Sequence, residues 1–350
     1  MFVRPRILSI LTTRRCPAAC DHCSVGAGPR ETDAIPVERI HRLIDEATRI
    51  PSLERIGFSG GECFLLGRDL DELVGHASRL GFITRVITNG YWAVSPRVAR
   101  DRVAAIRERG LDEMMLSTGS FHQRFVSVDR VIAAARAAAE SGILTRISIE
   151  ACDQSTFDDA VLFESLADLV ASGSVHLSRD PWIVDAGGRG LADLSHDAYL
   201  DDVGSRGLGR CAQVLDVISV TSDQKLIACC GFPSEQLPHL GIGSVSERTL
   251  DSVLDSSPNE LLKMWLHVSG PAGVAAFVAR YVPGYTLPQS ASICSACTRL
   301  QRDDRAMEIV GRYGAEVASI VAEQFVQLQA KHVDAPRSLK AASYEEKSLA

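Results

Sequence analysis

From residue 7 to about residue 178, short apolar runs alternate with amphipathic stretches. Arg6–Leu11, Arg55–Ser59, Ile83–Thr88, Glu113–Ser117, Leu144–Glu150 and Ser174–Leu177 have the length and composition of buried strands. Helical periodicity fills the gaps between them. Pro36–Arg49 puts Ile40, Leu43, Ile44 and Ala47 on one face, with Asp33 a candidate cap. Asp69–Leu80 follows, and Ser95-Pro96 opens a helix to about Arg109 with proline at its first position. Ser127–Ser141 is an alanine-rich helix stopped by Gly142, and Phe157–Ser172 reads as one more. Strands that alternate with helices predict an α/β fold, a parallel sheet covered by helices and either open or curled into a partial barrel.

The rhythm breaks after residue 180. Residues 181–210 are rich in Gly, Asp and Arg and read as a linker. Val217–Val220 and Leu226–Cys229 predict a short hairpin around Ser222-Asp223-Gln224. The stretch 231–293 is irregular with one or two helices, and Arg305 to about Lys331 predicts a single long helix. The pattern thus divides the chain into an α/β domain over 1–180, a linker over 181–210, a small α+β domain over 211–331 and a flexible polar tail over 332–350.

Composition narrows the function classes. With 350 residues, 46% of them apolar, the chain can bury a substantial core. Acidic residues outnumber basic ones by 44 to 37, a net charge of −7, which argues against a protein built to hold a nucleic-acid backbone. The residues after Met1 lack the long apolar core of a signal peptide, and no uninterrupted apolar run approaches bilayer length, so a cytoplasmic protein with no membrane partner is expected.

Ten cysteines without an export signal point to metal rather than to a disulfide framework. Eight of them fall into two groups. Cys16, Cys20 and Cys23 lie on the loop after the first strand, where parallel α/β folds gather their chemistry. Three thiolates at this spacing can hold three corners of an iron–sulfur cubane and leave one iron open. A zinc site is the alternative, but it needs a fourth ligand, and His22 adjoins Cys23 too closely to serve well. Cys211, Cys229, Cys230, Cys294 and Cys297 form the second group, able to close a [4Fe–4S] cluster or a zinc site. Cys229 and Cys230, if extended, would point to opposite faces, so that one of them ligates. Cys63 and Cys152, beside strand ends, read as small core residues.

The order CxxxCxxC, then Ser59-Gly60-Gly61-Glu62 after the second strand, resembles the radical S-adenosylmethionine (radical SAM) superfamily over roughly residues 5–180. That resemblance implies a partial (β/α)6 TIM-like barrel holding a [4Fe–4S] cluster on Cys16, Cys20 and Cys23, with S-adenosylmethionine on the open iron. Gly60, Gly61 and Glu62 would meet the cofactor's amino group. Asn89 in Thr88-Asn89-Gly90 and Ser117 in Ser117-Thr118-Gly119 fall where the family places polar contacts, and Ser148 and Glu150 lie near the expected adenosine. His122 is a candidate proton donor or substrate contact. His22 departs from the aromatic residue common before the third cysteine.

The second cysteine group resembles the auxiliary-cluster modules called twitch and SPASM, which implies one auxiliary [4Fe–4S] cluster; a full SPASM module would need more cysteines than the five present. Gly187-Gly188-Arg189 is similar to linkers in such proteins. Arg189, Arg206 and Arg210 suit an anionic substrate or simply a solvated linker. By resemblance, electron transfer to S-adenosylmethionine generates a 5′-deoxyadenosyl radical that abstracts a substrate hydrogen. A ribosomally made peptide is the expected substrate, a small metabolite such as a sugar or nucleoside the alternative, and flavodoxin or ferredoxin the expected reductant. A zinc-binding interaction protein without catalysis is the competing reading from another class.

Overall fold

A computed structural model describes residues 3–150, 156–180, 209–230, 237–256, 261–287 and 293–330. The predicted strands form as β1 (Ile7–Leu11), β2 (Arg55–Ser59), β3 (Ile83–Thr88), β4 (Glu113–Thr118), β5 (Leu144–Glu150) and β6 (Val175–Asp180). They pair in sequential order, all parallel. Helices α1 (Val37–Ala47), α2 (Arg68–Arg79), α3 (Pro96–Glu108) and α5 (Val128–Glu140) cross between them, with the short α4 (Ser120–Gln123) directly after β4. Sequential parallel order with helical crossovers is the arrangement of a partial (β/α)6 barrel.

Side-chain alternation along each strand assigns the two faces. Leu8, Ile10, Ile56, Phe58, Val86, Met114, Leu116 and Ile147 are fully buried, against Ile40, Leu43, Leu73, Val103 and Ala134 of the helices. Ser9, Leu11, Ser59, Ile87 and Ser117 alternate with them and line a cavity on the other face. α3 starts as its sequence dictates: the Ser95 side chain accepts from the Val98 N–H, with Pro96 at the first position.

The hairpin β7 (Val217–Val220) and β8 (Lys225–Ile227) forms around the expected turn, with Gln224 at φ 60°. It does not stand apart from the barrel. β7 pairs in parallel with β1 from Ile7↔Val217 to Ile10↔Val220, and β8 and β9 (Gly241–Ser244) extend the sheet antiparallel. One nine-stranded sheet therefore runs through residues on both sides of the expected linker, of which 181–208, with Arg189 and Arg206, lie outside the described residues along with Cys152 and the tail. Buried polar contacts tie the two parts together. Arg39 of α1 pairs with Glu46 at 2.7 Å and donates to the Val245 carbonyl at 2.7 Å, while Glu46 accepts the Leu250 N–H at 2.9 Å. Arg6 forks onto Asp216 at 2.6 and 2.9 Å.

Two helices are more broken than their periodicity suggests. The Phe157–Ser172 stretch forms as α6 (Ala160–Ser165) and α7 (Ala167–Ala171), interrupted at Leu166. α8 (Leu250–Asp255), α9 (Leu261–Val278) and α10 (Ile293–Gln301) precede the expected long helix, which splits into α11 (Asp304–Tyr313) and α12 (Ala318–Ala330) around a tight turn at Gly314–Val317. A Cβ on Gly314 would sit 3.2 Å from the end of the Leu261 side chain, a tight contact against α9. α9, contrary to the expectation from uninterrupted runs, is long and apolar enough to cross a membrane, but 61% of it is buried inside this fold, and Gly270-Pro271 kinks it.

Candidate active site

The loop after β1 is fastened before it reaches the cysteines. Thr12 N–H donates to Ser59 O at 2.9 Å, Arg14 N–H to Asp33 O at 2.8 Å, and Cys16 N–H to Gly28 O at 3.1 Å. Cys23 N–H to Cys20 O and Gly26 N–H to Cys23 O, both 3.1 Å, turn the chain between the thiols. Cys16, Cys20 and Cys23 all line a cavity of about 200 Å³ at the carboxyl end of β1–β4. Donors point at their sulfurs: Ala18 N–H at 3.4 Å and Asn89 Nδ2 at 3.4 Å to Cys16, and Ala27 N–H at 3.3 Å to Cys23. Burial pushes the metal-free Cys16 thiol up to about 12, so that binding a metal there would release its proton.

Gly60 and Gly61 carry a steric duty. Gly60 sits at φ 130°, and a Cβ there would lie 2.4 Å from the Thr13 carbonyl oxygen; at Gly61 it would lie 2.4 Å from that of Arg15. The chain can pass this close only without side chains. Gly61 N–H donates to Thr13 O and Glu62 N–H to Arg15 O, so these amides hold the cysteine loop.

Both glycines line the cavity, as do Asn89 and Ser117. Glu62 is completely buried beneath it, and its carboxylate accepts from Phe64 N–H at 3.0 Å, Thr88 Oγ1 at 2.8 Å and Asn89 N–H at 2.9 Å. Burial pushes this carboxyl up to about 7, against the pull of the three donors. Asn89 Oδ1 takes the Tyr91 N–H at 2.9 Å, which orients its amide so that Nδ2 meets Cys16.

Ser148 is buried and Glu150 almost completely so; neither lines the cavity. Glu150 instead accepts the Phe121 N–H at 2.6 Å and pairs with His122 Nδ1 at 3.0 Å. Its carboxylate occupies the space where a side chain on Gly119, at φ 134°, would stand. His122 does reach the cavity, beside His22, whose ring centroid lies 4.8 Å away. His22 is 3% exposed, and burial, with His122 next to it, holds it well below the ordinary histidine range.

The five later cysteines share one neighbourhood. Hydrogen bonding to Cys230 and burial push Cys229 up, with Cys294 and Cys211 adding to it, while the same hydrogen bond holds Cys230 down. Burial, then Cys211, lifts Cys297 to about 12, against the Gln301 amide, which lies 3.1 Å from its sulfur. Cys229 and Cys230 lie past the end of β8 in a bent segment, so the extended geometry that would part their side chains does not apply. Cys230 also lines the cavity of Cys16, Cys20 and Cys23. Cys63 is fully buried and bonded to Ile87 O, as expected of a core residue.

Residues 10–151 match the Radical SAM superfamily. The chain carries a radical SAM domain. That domain spans β1 to the end of β5 and contains the three cavity cysteines. Among curated relatives, YydG of Bacillus subtilis (strain 168), named for peptide biosynthesis, is 28% identical over 121 residues, covering 35% of this chain and 38% of that protein. Among solved structures, anSMEcpe with AdoMet and the Cp18Cys peptide is 14% identical, covering 91% of this chain and 99% of that one at a TM-score of 0.49. Streptococcus suis SuiB bound to S-adenosylmethionine is 16% identical, covering 64% and 60% at a TM-score of 0.42.

Proposed function

We propose that this protein is a radical SAM enzyme that modifies a ribosomally made peptide, with a second iron–sulfur centre on its C-terminal cysteines. The observation that carries the reading is the placement of Cys16, Cys20 and Cys23 around one cavity with N–H donors aimed at two of their sulfurs. Three soft thiolate donors and a hydrogen-bonded second shell fit an iron–sulfur cluster with one open iron. When bound, that cluster would supply the electron that cleaves S-adenosylmethionine and so provides a hydrogen-abstracting radical.

The chain's own residues have separate tasks. Asn89 and the Ala18 and Ala27 amides withdraw charge from the sulfurs, which raises a cluster's potential. Glu62 acts through Asn89 as a positioning residue. Gly60 and Gly61 let the second strand's turn lock the cysteine loop and leave the cavity wall open for the cofactor's methionine end. Ser117 and His122, which also line the cavity, are offered to the nucleoside or the substrate.

Cys211, Cys294 and Cys297, with Cys229 or Cys230, would hold the auxiliary cluster. The peptide substrate rests on the similarity to YydG, which extends over part of each chain. Flavodoxin or ferredoxin remains the proposed reductant.

The test is anaerobic reconstitution followed by reduction with dithionite in the presence of S-adenosylmethionine. Wild-type protein should form 5′-deoxyadenosine, and Cys16→Ala should form none. A protein that takes up zinc instead of iron, or a Cys16→Ala variant that still cleaves the cofactor, would refute the reading.

A further inference from the structure

His22, His122 and Glu150 each offer one ligand atom, and these atoms lie within 4.8 Å of one another. They come from three separate places, the cysteine loop, α4 and the end of β5, and the sheet brings them together. Glu150 is 1% and His22 3% exposed. The His122–Glu150 hydrogen bond satisfies one ring nitrogen and one carboxylate oxygen, and Phe121 N–H takes the other oxygen. His22 Nδ1 remains, buried and with no hydrogen-bond partner. A buried imidazole nitrogen without a partner costs free energy, and a metal ion is one partner able to satisfy it.

Ligand bonds of about 2.1 Å put neighbouring octahedral ligands about 3.0 Å apart and opposite ones about 4.2 Å apart. The 3.0 Å between His122 Nδ1 and Glu150 Oε2 already equals the shorter edge, and a metal held by both atoms would displace the proton that now bridges them. Three mutually neighbouring ligands would need the widest separation in the group, up to 4.8 Å, to close by about 1.8 Å, a movement that rotation of the His22 and His122 rings has to supply on binding. Two imidazoles and one carboxylate are the donor set of mononuclear first-row metal sites with open positions. The second carboxylate oxygen is held by a backbone N–H, as outer partners of metal ligands commonly are.

We propose that His22, His122 and Glu150 bind a divalent first-row transition metal ion at the rim of the cavity. Because both histidines line that cavity, its open positions are reachable from it by a carbonyl or carboxylate group of a substrate. The site stands on this geometry and does not depend on the radical reading, which iron content reports separately.

The probe is Zn²⁺ added to the anaerobically reconstituted holoprotein, followed by equilibrium dialysis and zinc X-ray absorption. One zinc per chain should be retained, with nitrogen and oxygen neighbours at about 2.0–2.1 Å. His122→Gln should weaken it at least about tenfold while far-UV circular dichroism and iron content stay unchanged. If that variant loses its fold, Glu150→Gln gives the same comparison. No retained zinc, sulfur neighbours at about 2.3 Å, or unchanged affinity in a folded variant would overturn the proposal.

Discussion

Gly61→Ala should damage the first cysteine site far more than the size of a methyl group suggests. The new Cβ would stand 2.4 Å from the Arg15 carbonyl oxygen and 2.8 Å from that of Arg14. An ordinary contact is about 3.4 Å, so the backbone immediately before Cys16 must retreat by about 1 Å. Glu62 N–H to Arg15 O, now 3.0 Å, and Gly61 N–H to Thr13 O would then be broken. Two lost hydrogen bonds at about 1 kcal/mol each and an overpacking cost of about 1–3 kcal/mol give roughly 3–5 kcal/mol. The same retreat carries Cys16 away from Asn89 Nδ2. Gly57→Ala is the matched control, since a Cβ on Gly57 meets nothing within 4 Å. Urea unfolding of the apoprotein measures the stability loss, and iron per chain after reconstitution measures the site. Gly57→Ala should match wild type in both. Gly61→Ala that unfolds within about 1 kcal/mol of Gly57→Ala and takes up the same iron would show that the close approach is not what fixes the loop.

Arg39→Met should destabilise by about 3–5 kcal/mol, because it leaves Glu46 buried without its cation and frees the Val245 carbonyl; a loss under about 1 kcal/mol in urea unfolding would refute the tie between α1 and the C-terminal strands. Glu62 makes stability fall as pH rises. Its carboxyl is raised in the fold from 4.5 to about 7, so the ionised form is disfavoured and up to about 3 kcal/mol is lost between those values. Glu62→Gln should flatten that part of the pH profile, and an unchanged profile would assign it to another group. Asn89→Ala removes a donor from Cys16 and should shift the cluster's midpoint to a more negative potential in an EPR-monitored redox titration; an unmoved midpoint would mean that the 3.4 Å contact carries no charge.

Much of the barrel is written in local pattern. Apolar runs and capping residues sit beside each other in the chain, so β1 to β6 and helices such as α3 form where periodicity and Ser95-Pro96 indicate. The spacing of Cys16, Cys20 and Cys23 is local as well, which is why their grouping at one cavity was readable. The breaks were harder. Gly314, where the last helix divides, packs against Leu261, more than fifty residues away, and no periodicity carries that contact.

The sequence by itself determined the strands, the crossover helices and the first group of thiols, because each is set by residues close together in the chain. Only the tertiary structure decided that β7 closes onto β1, that Cys230 faces the cavity of the first three cysteines, and that Gly60-Gly61 touches the backbone of residues 13–15. The same holds for Glu62, turned beneath Asn89, and for the meeting of His22, His122 and Glu150. The physical reason is sequence separation: pleat and helix periods fix which way a side chain faces, but which distant side chain it meets depends on how the sheet orders and curls its strands.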